Sequence, residues 1–127
     1  MSFVAGRLYH VYNRGNNAQP IFFEPRNYAF FQKKMGDYLP GVCDVLAYCL
    51  MPNHYHLLIQ VKAEGMEPAS GISTVPRLAR KLGTLQSSYT QAINKQEGRT
   101  GSLFQQKAKH KELSTDDYGL VCFQYIH

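Results

Sequence analysis

The sequence predicts an α+β fold, a small antiparallel sheet covered by helices on one face. Three observations carry this. Short runs that alternate apolar and polar residues mark strands. Two longer runs with apolar residues three and four apart mark helices. Gly, Pro and Asn gather at the breaks between them. At 127 residues the chain fits one domain with one core, spanning 1–127.

Residues 7–13, RLYHVYN, alternate and are aromatic and β-branched, so they predict a first strand. The turn that follows, Asn13-Arg14-Gly15-Asn16-Asn17, is rich in residues that accept positive φ. Pro25 suits the first turn of a helix. Tyr28, Phe31, Met35 and Leu39 then recur at helical spacing over residues 25–39, and Pro40-Gly41 stops the run. Residues 42–50, VCDVLAYCL, and 54–61, HYHLLIQV, predict two strands. The break at Pro52-Asn53 is short enough for an antiparallel hairpin. Residues 62–73 read as loop. A second helix is expected over residues 75–95, where Leu78, Leu82, Leu85, Tyr89 and Ile93 form one apolar stripe. Residues 102–110, SLFQQKAKH, predict a fourth strand. Ser114-x-x-Asp117 resembles a capping box for a last helix over residues 115–126. The order β-α-β-β-α-β matches the ferredoxin-like split βαβ plan, with an extra C-terminal helix. That plan hosts many activities and names none.

Composition narrows the classes. No stretch approaches the roughly 18–20 apolar residues of a membrane span. The N-terminus lacks the basic start and apolar block of a secretory signal. A cytoplasmic protein without membrane contact is expected. Cys43, Cys49 and Cys122 are odd in number and lack CxxC spacing, which argues against a disulfide framework or a cysteine zinc site. Buried free thiols are the expected reading for Cys43 and Cys49. The net charge is +5. It is concentrated: Arg77, Arg80, Lys81, Lys95, Arg99, Lys107, Lys109 and Lys111 are opposed between residues 77 and 111 only by Glu97. A basic stretch of this kind suits a phosphate backbone, although a solvated face carries the same signature.

His54 and His56 stand at i and i+2 on a predicted strand. The two-residue period puts both on one face, with Cα atoms roughly 6.6 Å apart. Two imidazoles at that separation can converge on one ion. Tyr55, Leu57, Ile59 and Val61 point the other way and suit a core. No Asp or Glu lies close in sequence, so any third ligand comes from elsewhere in the fold. Tyr89 sits on the apolar stripe of the second helix. A buried core tyrosine is the plain reading. The chemical one is a nucleophile that the stripe brings to the sheet face bearing the histidines.

The string MPNHYHLLIQ resembles the H-hydrophobic-H motif of HUH endonucleases. The run SSYTQAINKQEGRTGSLFQQKAK resembles the tyrosine helix and basic strand of single-tyrosine transposases. The start, YHVYNRGNN, and the end, YIH, resemble the same group. The likeness covers nearly the whole chain and is nearest to the REP-associated tyrosine transposases and the smallest insertion-sequence transposases.

The resemblance implies that His54 and His56 hold Mg²⁺ or Mn²⁺ against a scissile phosphate of single-stranded or hairpin DNA. It implies that Tyr89 attacks that phosphate, leaving a 5′-phosphotyrosine and a free 3′-OH that later rejoins without ATP. It implies a polar third ligand from the tyrosine helix, with Asn94 first and Gln86 as the alternative that shares Tyr89's face. Arg14, Arg77, Arg80, Lys81, Arg99, Lys107 and Lys109 are the expected DNA contacts. His10 could line the site or serve as a strand histidine. Phe104 is expected in the core, and Tyr118 and Tyr125, though rival tyrosines, are expected to pack the last helix. Relatives act as monomers or homodimers, and usually continue past YIH, so a C-terminally truncated product is a further expectation. Two other classes stay open. One is a non-catalytic nucleic-acid-binding domain derived from a transposase. The other is a metal-dependent nuclease that uses water.

Overall fold

The computed structural model describes residues 3–71 and 74–113. The elements run β1 (Leu8–Arg14), α1 (Pro25–Tyr38), β2 (Cys43–Met51), β3 (His54–Val61), α2 (Arg77–Glu97) and β4 (Lys109–Leu113). The strands form one sheet in the order β2-β3-β1-β4, with every neighbouring pair antiparallel. This is the expected ferredoxin-like arrangement. The last helix expected over 115–126, with Cys122, Tyr118 and Tyr125, lies outside the described residues.

Local chemistry explains the boundaries. Pro25 occupies the first turn of α1, where its missing N–H costs nothing. The Asn27 side-chain oxygen accepts from the Glu24 and Phe23 amides, each at 2.9 Å, and closes a capping box. Gly98 ends α2 at φ 62°, a left-handed conformation that suits glycine. The β2–β3 hairpin turns at Pro52-Asn53, with Met51 opposite His54. After β1, Asn17 and Ala18 take positive φ. Gly15 is required for a different reason: a Cβ there would lie 1.9 Å from the Gln19 carbonyl oxygen.

One expectation needs correction. The fourth strand begins at Lys109, well after the expected start at residue 102. Residues 102–108 form an irregular approach, tied to the end of β1 by the Gln105 amide, which donates to the Arg14 carbonyl oxygen at 2.9 Å, and by a bridge between Gly15 and Phe104 just beyond it. Lys107 is therefore off the strand and does not share a strand face with Lys109.

Both helices pack on the same face of the sheet. Tyr9, Val11, Tyr55, Leu57 and Ile59 from the strands meet Phe31 and Met35 of α1 and Leu78, Leu82, Leu85, Tyr89 and Ile93 of α2 in one buried cluster. Asn27 and Gln96 join the two helices by a 3.0 Å hydrogen bond. The opposite face carries the other half of each strand's alternation.

Candidate metal centre

His54 and His56 lie on the face away from the helices. Along β3 they are half-buried, while Tyr55, Leu57 and Ile59 between and after them are fully buried on the helix side. The two imidazoles stand at 86° to each other with ring centres 5.0 Å apart. Two imidazoles bound to one ion at about 2.1 Å per bond place their ring centres at about this separation. The donor set thus fits a divalent ion that accepts nitrogen, as Mn²⁺ does.

Each ring has one nitrogen tied. His54 Nδ1 is 2.7 Å from the Asn53 side-chain oxygen, and His56 Nδ1 is 2.8 Å from His10 Nε2. Asn53 is itself held by the backbone. Its carbonyl oxygen accepts from the Gly15 amide at 2.9 Å, and the adjacent Pro52 carbonyl oxygen accepts from Ile21 and Phe22. Burial lowers the His10 pKa, and the Lys111 cation adds to this. Burial, with His10 and His54 alongside, pushes His56 down to about 4. The His56 ring is therefore neutral at pH 7, the form that binds metal.

Register assembles the rest of this face. Arg14 pairs with His54, Tyr12 with His56, Lys109 with Tyr12 and Lys111 with His10. Residues directly opposed in a sheet share a face. The Tyr12 ring stacks at 4.6 Å from His10 and 6.2 Å from His56. Arg14, Lys109 and Lys111 are exposed. Cys49 stands opposite His56 and is half-buried, while Cys43 is buried, where its thiol pKa rises to about 12.

Tyr89 is elsewhere. It is fully buried, ringed by Phe22, Phe30, Phe31 and Phe104, and its hydroxyl donates to the Ile21 carbonyl oxygen at 2.6 Å. Burial, with Tyr28 nearby, raises its pKa further above the ordinary tyrosine value. The stripe does face the sheet, but it faces the side bearing Tyr55, and the sheet itself separates Tyr89 from the histidines. The expectation that Tyr89 approaches the pair is corrected on that ground.

The third-ligand expectations fail for the same reason. Gln86 is buried on the helix side, where its Oε1 accepts from the Tyr55 hydroxyl at 2.5 Å and from Asn13 Nδ2 at 2.9 Å. Asn94 serves the turn after α2, accepting from Arg99 and donating to the Gly101 carbonyl oxygen at 3.0 Å. Among the described residues, no group of three or more His, Cys, Asp or Glu side chains is arranged to hold an ion.

The basic residues divide into two sets. Arg14 and Lys109 lie with the histidines. Arg77, Arg80 and Lys81 ride on the first turns of α2, in the helix layer. Arg77 pairs with Glu67 at 3.8 Å, and the Lys81 ammonium sits 5.9 Å from the Tyr38 ring centre. Arg80 and Lys107 border a groove beside α2. The Arg99 guanidinium bonds Asn94, the Gln19 Oε1 at 3.0 Å and the Ser102 carbonyl oxygen at 3.2 Å, so it is committed to holding the loop. Phe104 is in the core, as expected.

Sequence reasoning did not single out Asn53, Tyr12 or Lys111 for the site. The signal that finds them is register: each stands next to a histidine in the strand or directly across from one.

No family model matches the chain, and no curated protein matches it. Among solved structures it is similar to a REP-associated tyrosine transposase bound to a REP hairpin. That likeness has a TM-score of 0.64 and 15% identity, over 98% of this chain and 67% of the other. It is also similar to a putative transposase from Deinococcus radiodurans R1, with a TM-score of 0.54 and 17% identity, over 99% of this chain and 92% of the other. No helix among the described residues is long and apolar enough to cross a membrane. The chain shares its fold with these two transposase structures.

Proposed function

We propose that this chain cleaves and rejoins single-stranded DNA as a metal-dependent tyrosine transposase, working on the sheet face away from the helices. The observation that carries the reading is the perpendicular His54–His56 pair, half-buried on a sheet face that also bears Arg14, Lys109 and Lys111. Those two residues would hold Mg²⁺ or Mn²⁺, which when bound polarises a phosphodiester and offsets charge developing on it. Arg14, opposite His54 in the sheet, would hold the scissile phosphate. Lys109 and Lys111 extend the positive surface along β4 and orient the strand without reading its bases. The hairpin carried by one structural relative supports a hairpin-bearing single strand as the substrate.

In the reaction, a tyrosine oxygen attacks phosphorus and the phenol proton leaves. The bond from phosphorus to the 3′ oxygen breaks, giving a 5′-phosphotyrosine and a free 3′-OH. A second 3′-OH reverses the step, so joining needs no ATP. The tyrosine must come from the histidine face. Among the described residues Tyr12 stands there. Tyr118 and Tyr125, the latter in the YIH motif, are the other candidates and lie outside the described residues.

The test is incubation with Mn²⁺ and a labelled hairpin-bearing strand, then a denaturing gel and peptide mapping of the adduct. A metal-dependent adduct on Tyr12, Tyr118 or Tyr125, lost in His54→Ala, is expected. An adduct on Tyr89 would overturn the assignment of the face. The burial of Tyr89 away from the pair also favours a second reading, a non-catalytic nucleic-acid-binding domain. Salt-sensitive binding with no adduct would establish that one instead.

A further inference from the structure

Beside its apolar stripe, α2 carries a polar row. Arg80, Thr84, Ser87, Gln91 and Asn94 recur at steps of four, three, four and three, so they share one side of the helix. From Arg80 to Asn94 the row is roughly 21 Å long, at ~1.5 Å per residue. It forms one wall of a groove of about 1030 Å³, and the segment from Gly101 into β4 forms the other. That volume is at the upper end of ordinary ligand pockets, about 300–1,000 Å³. Val11, Leu82, Leu103 and Phe104 make an apolar floor. The walls meet at one end, where Asn94 donates to the Gly101 carbonyl oxygen at 3.0 Å. Among the described residues, Arg80 and Lys107 line the groove and no carboxylate does. Both cations are exposed, and neither has a carboxylate partner among the described residues.

We propose that this groove takes the single-stranded flank of the DNA, with phosphates at Arg80 and Lys107 and bases turned towards the apolar floor. The inference takes its ligand class from the function proposed above. Charge supports a polyanion: a groove with two free cations and no carboxylate attracts phosphates along its length. Shape supports one strand, because walls that meet at Asn94 and Gly101 make a slot and not a broad surface. Gln91 and Gln106 offer amide donors and acceptors to base edges, and neither is engaged among the described residues. The route from the histidines runs round β4, the outermost strand of the sheet. Along β4, Lys109 and Lys111 turn to the histidine face and His110 turns to the groove. Lys107 stands just before the strand, at the groove. Glu112, further along, is already paired with Arg7 at 3.2 Å. β4 lies two strand spacings, about 10 Å, from β3 and its histidines. Cations therefore line the path from one face to the other.

Fluorescence anisotropy of the full chain tests this on two labelled DNAs, a blunt hairpin and the same hairpin with single-stranded flanks. Flanks of about six nucleotides match the groove at ~3.4 Å per stacked base. They should tighten wild-type binding roughly 10-fold at low salt. The double variant Arg80→Gln, Lys107→Gln should lose that gain and lower the logarithmic salt slope on the flanked DNA by about 1.4. Gly83→Leu tests the space itself. Gly83 lines the groove, and no heavy atom lies within 4 Å of a Cβ added there, so Leu fills the groove with charge and fold intact. It too should remove the gain from the flanks. A wild type that binds both DNAs equally, or a Gly83→Leu that keeps the full gain, overturns the proposal. Adduct formation with Mn²⁺ on the same samples separates this from the transposase reading. An adduct without any gain from the flanks removes the groove and leaves that reading. A gain lost in both variants, without any adduct, supports the groove and removes the chemistry.

Discussion

The Tyr89 hydroxyl donates to the Ile21 carbonyl oxygen at 2.6 Å, inside the core and across the sheet from His54. The same Ile21 peptide region donates its amide to the Pro52 carbonyl oxygen at 2.8 Å. Tyr89 thus supports the hairpin turn that carries Asn53, through the loop between β1 and α1. Its polar contact is structural, and its effect on the site is indirect. Tyr89→Phe should lower stability by about 1–3 kcal/mol, since a buried carbonyl loses its partner. The folded fraction should still form the DNA adduct. Urea denaturation and a denaturing gel on the same preparation check both parts.

Gln86 bridges Tyr55 and Asn13 in the core. Asn13 keeps a second bond, from Nδ2 to the Gln105 carbonyl oxygen at 3.0 Å. Gln86→Leu strands the Tyr55 hydroxyl and one Asn13 N–H. A loss on the order of 2–4 kcal/mol is expected. The Mn²⁺ affinity of the folded protein should not change, because the sheet lies between. A fall in affinity equal to that of His54→Ala would restore Gln86 as a ligand.

Gly15 sits at an ordinary φ of −62°, so backbone conformation does not demand glycine there. Space does, through the Gln19 carbonyl oxygen. Gly15→Ala must push that loop away and disturb the Gly15 amide bond to Asn53. Overpacking of this kind costs roughly 1–3 kcal/mol. Because Asn53 orients His54, Mn²⁺ binding should weaken together with thermal stability. Calorimetry of both processes would show the pairing.

Three histidines predict the acid behaviour of the metal-free protein. Burial holds His10 and His110 below the ordinary histidine value and His56 down to about 4. A group with a depressed folded pKa binds its proton more readily when unfolded. The stability tied to these neutral rings is therefore complete above about pH 6.5 and is lost as pH falls towards about 4. His110 adds a specific weakness: its Nε2 is buried with no hydrogen-bond partner among the described residues, and the ring stacks on Phe3 at 4.1 Å. Urea midpoints should fall steadily from pH 7.5 to pH 4.5, and more gently in His110→Phe. A midpoint that rises on acidification would contradict this account.

Lys109 and Lys111 share the histidine face, whereas Arg99 is engaged by Asn94, Gln19 and Ser102. Replacing both lysines with Gln should weaken single-strand binding and shallow its logarithmic salt dependence by about 0.7 for each phosphate no longer neutralised. Arg99→Gln should leave that slope nearly unchanged and lower the melting temperature instead. Fluorescence anisotropy across a salt series reads the difference.

Much of this was legible in the residues. Alternation in LYHVYNR and HYHLLIQV marks β1 and β3, and Pro52-Asn53 sets the hairpin between β2 and β3. The four-and-three spacing from Leu78 to Ile93 marks α2. The fourth strand was placed too early because Leu103 and Phe104 mimic strand residues. They are buried instead by the loop that crosses to β1.

The sequence by itself determined that His54 and His56 share a face and that Tyr55, Leu57 and Ile59 occupy the other. The two-residue period of a strand allows nothing else. It also determined that Tyr89 points inward, since its stripe is apolar. Only the tertiary structure decided that these statements exclude one another's chemistry. Helices cover the face where burial removes the most apolar surface from water, and that is the Tyr55 side. The histidines keep the polar side, and there register alone brings His10, Tyr12, Arg14 and Lys111 to them from strands distant in sequence. Such contacts depend on how β1 slides against β3 and β4, which no local pattern specifies.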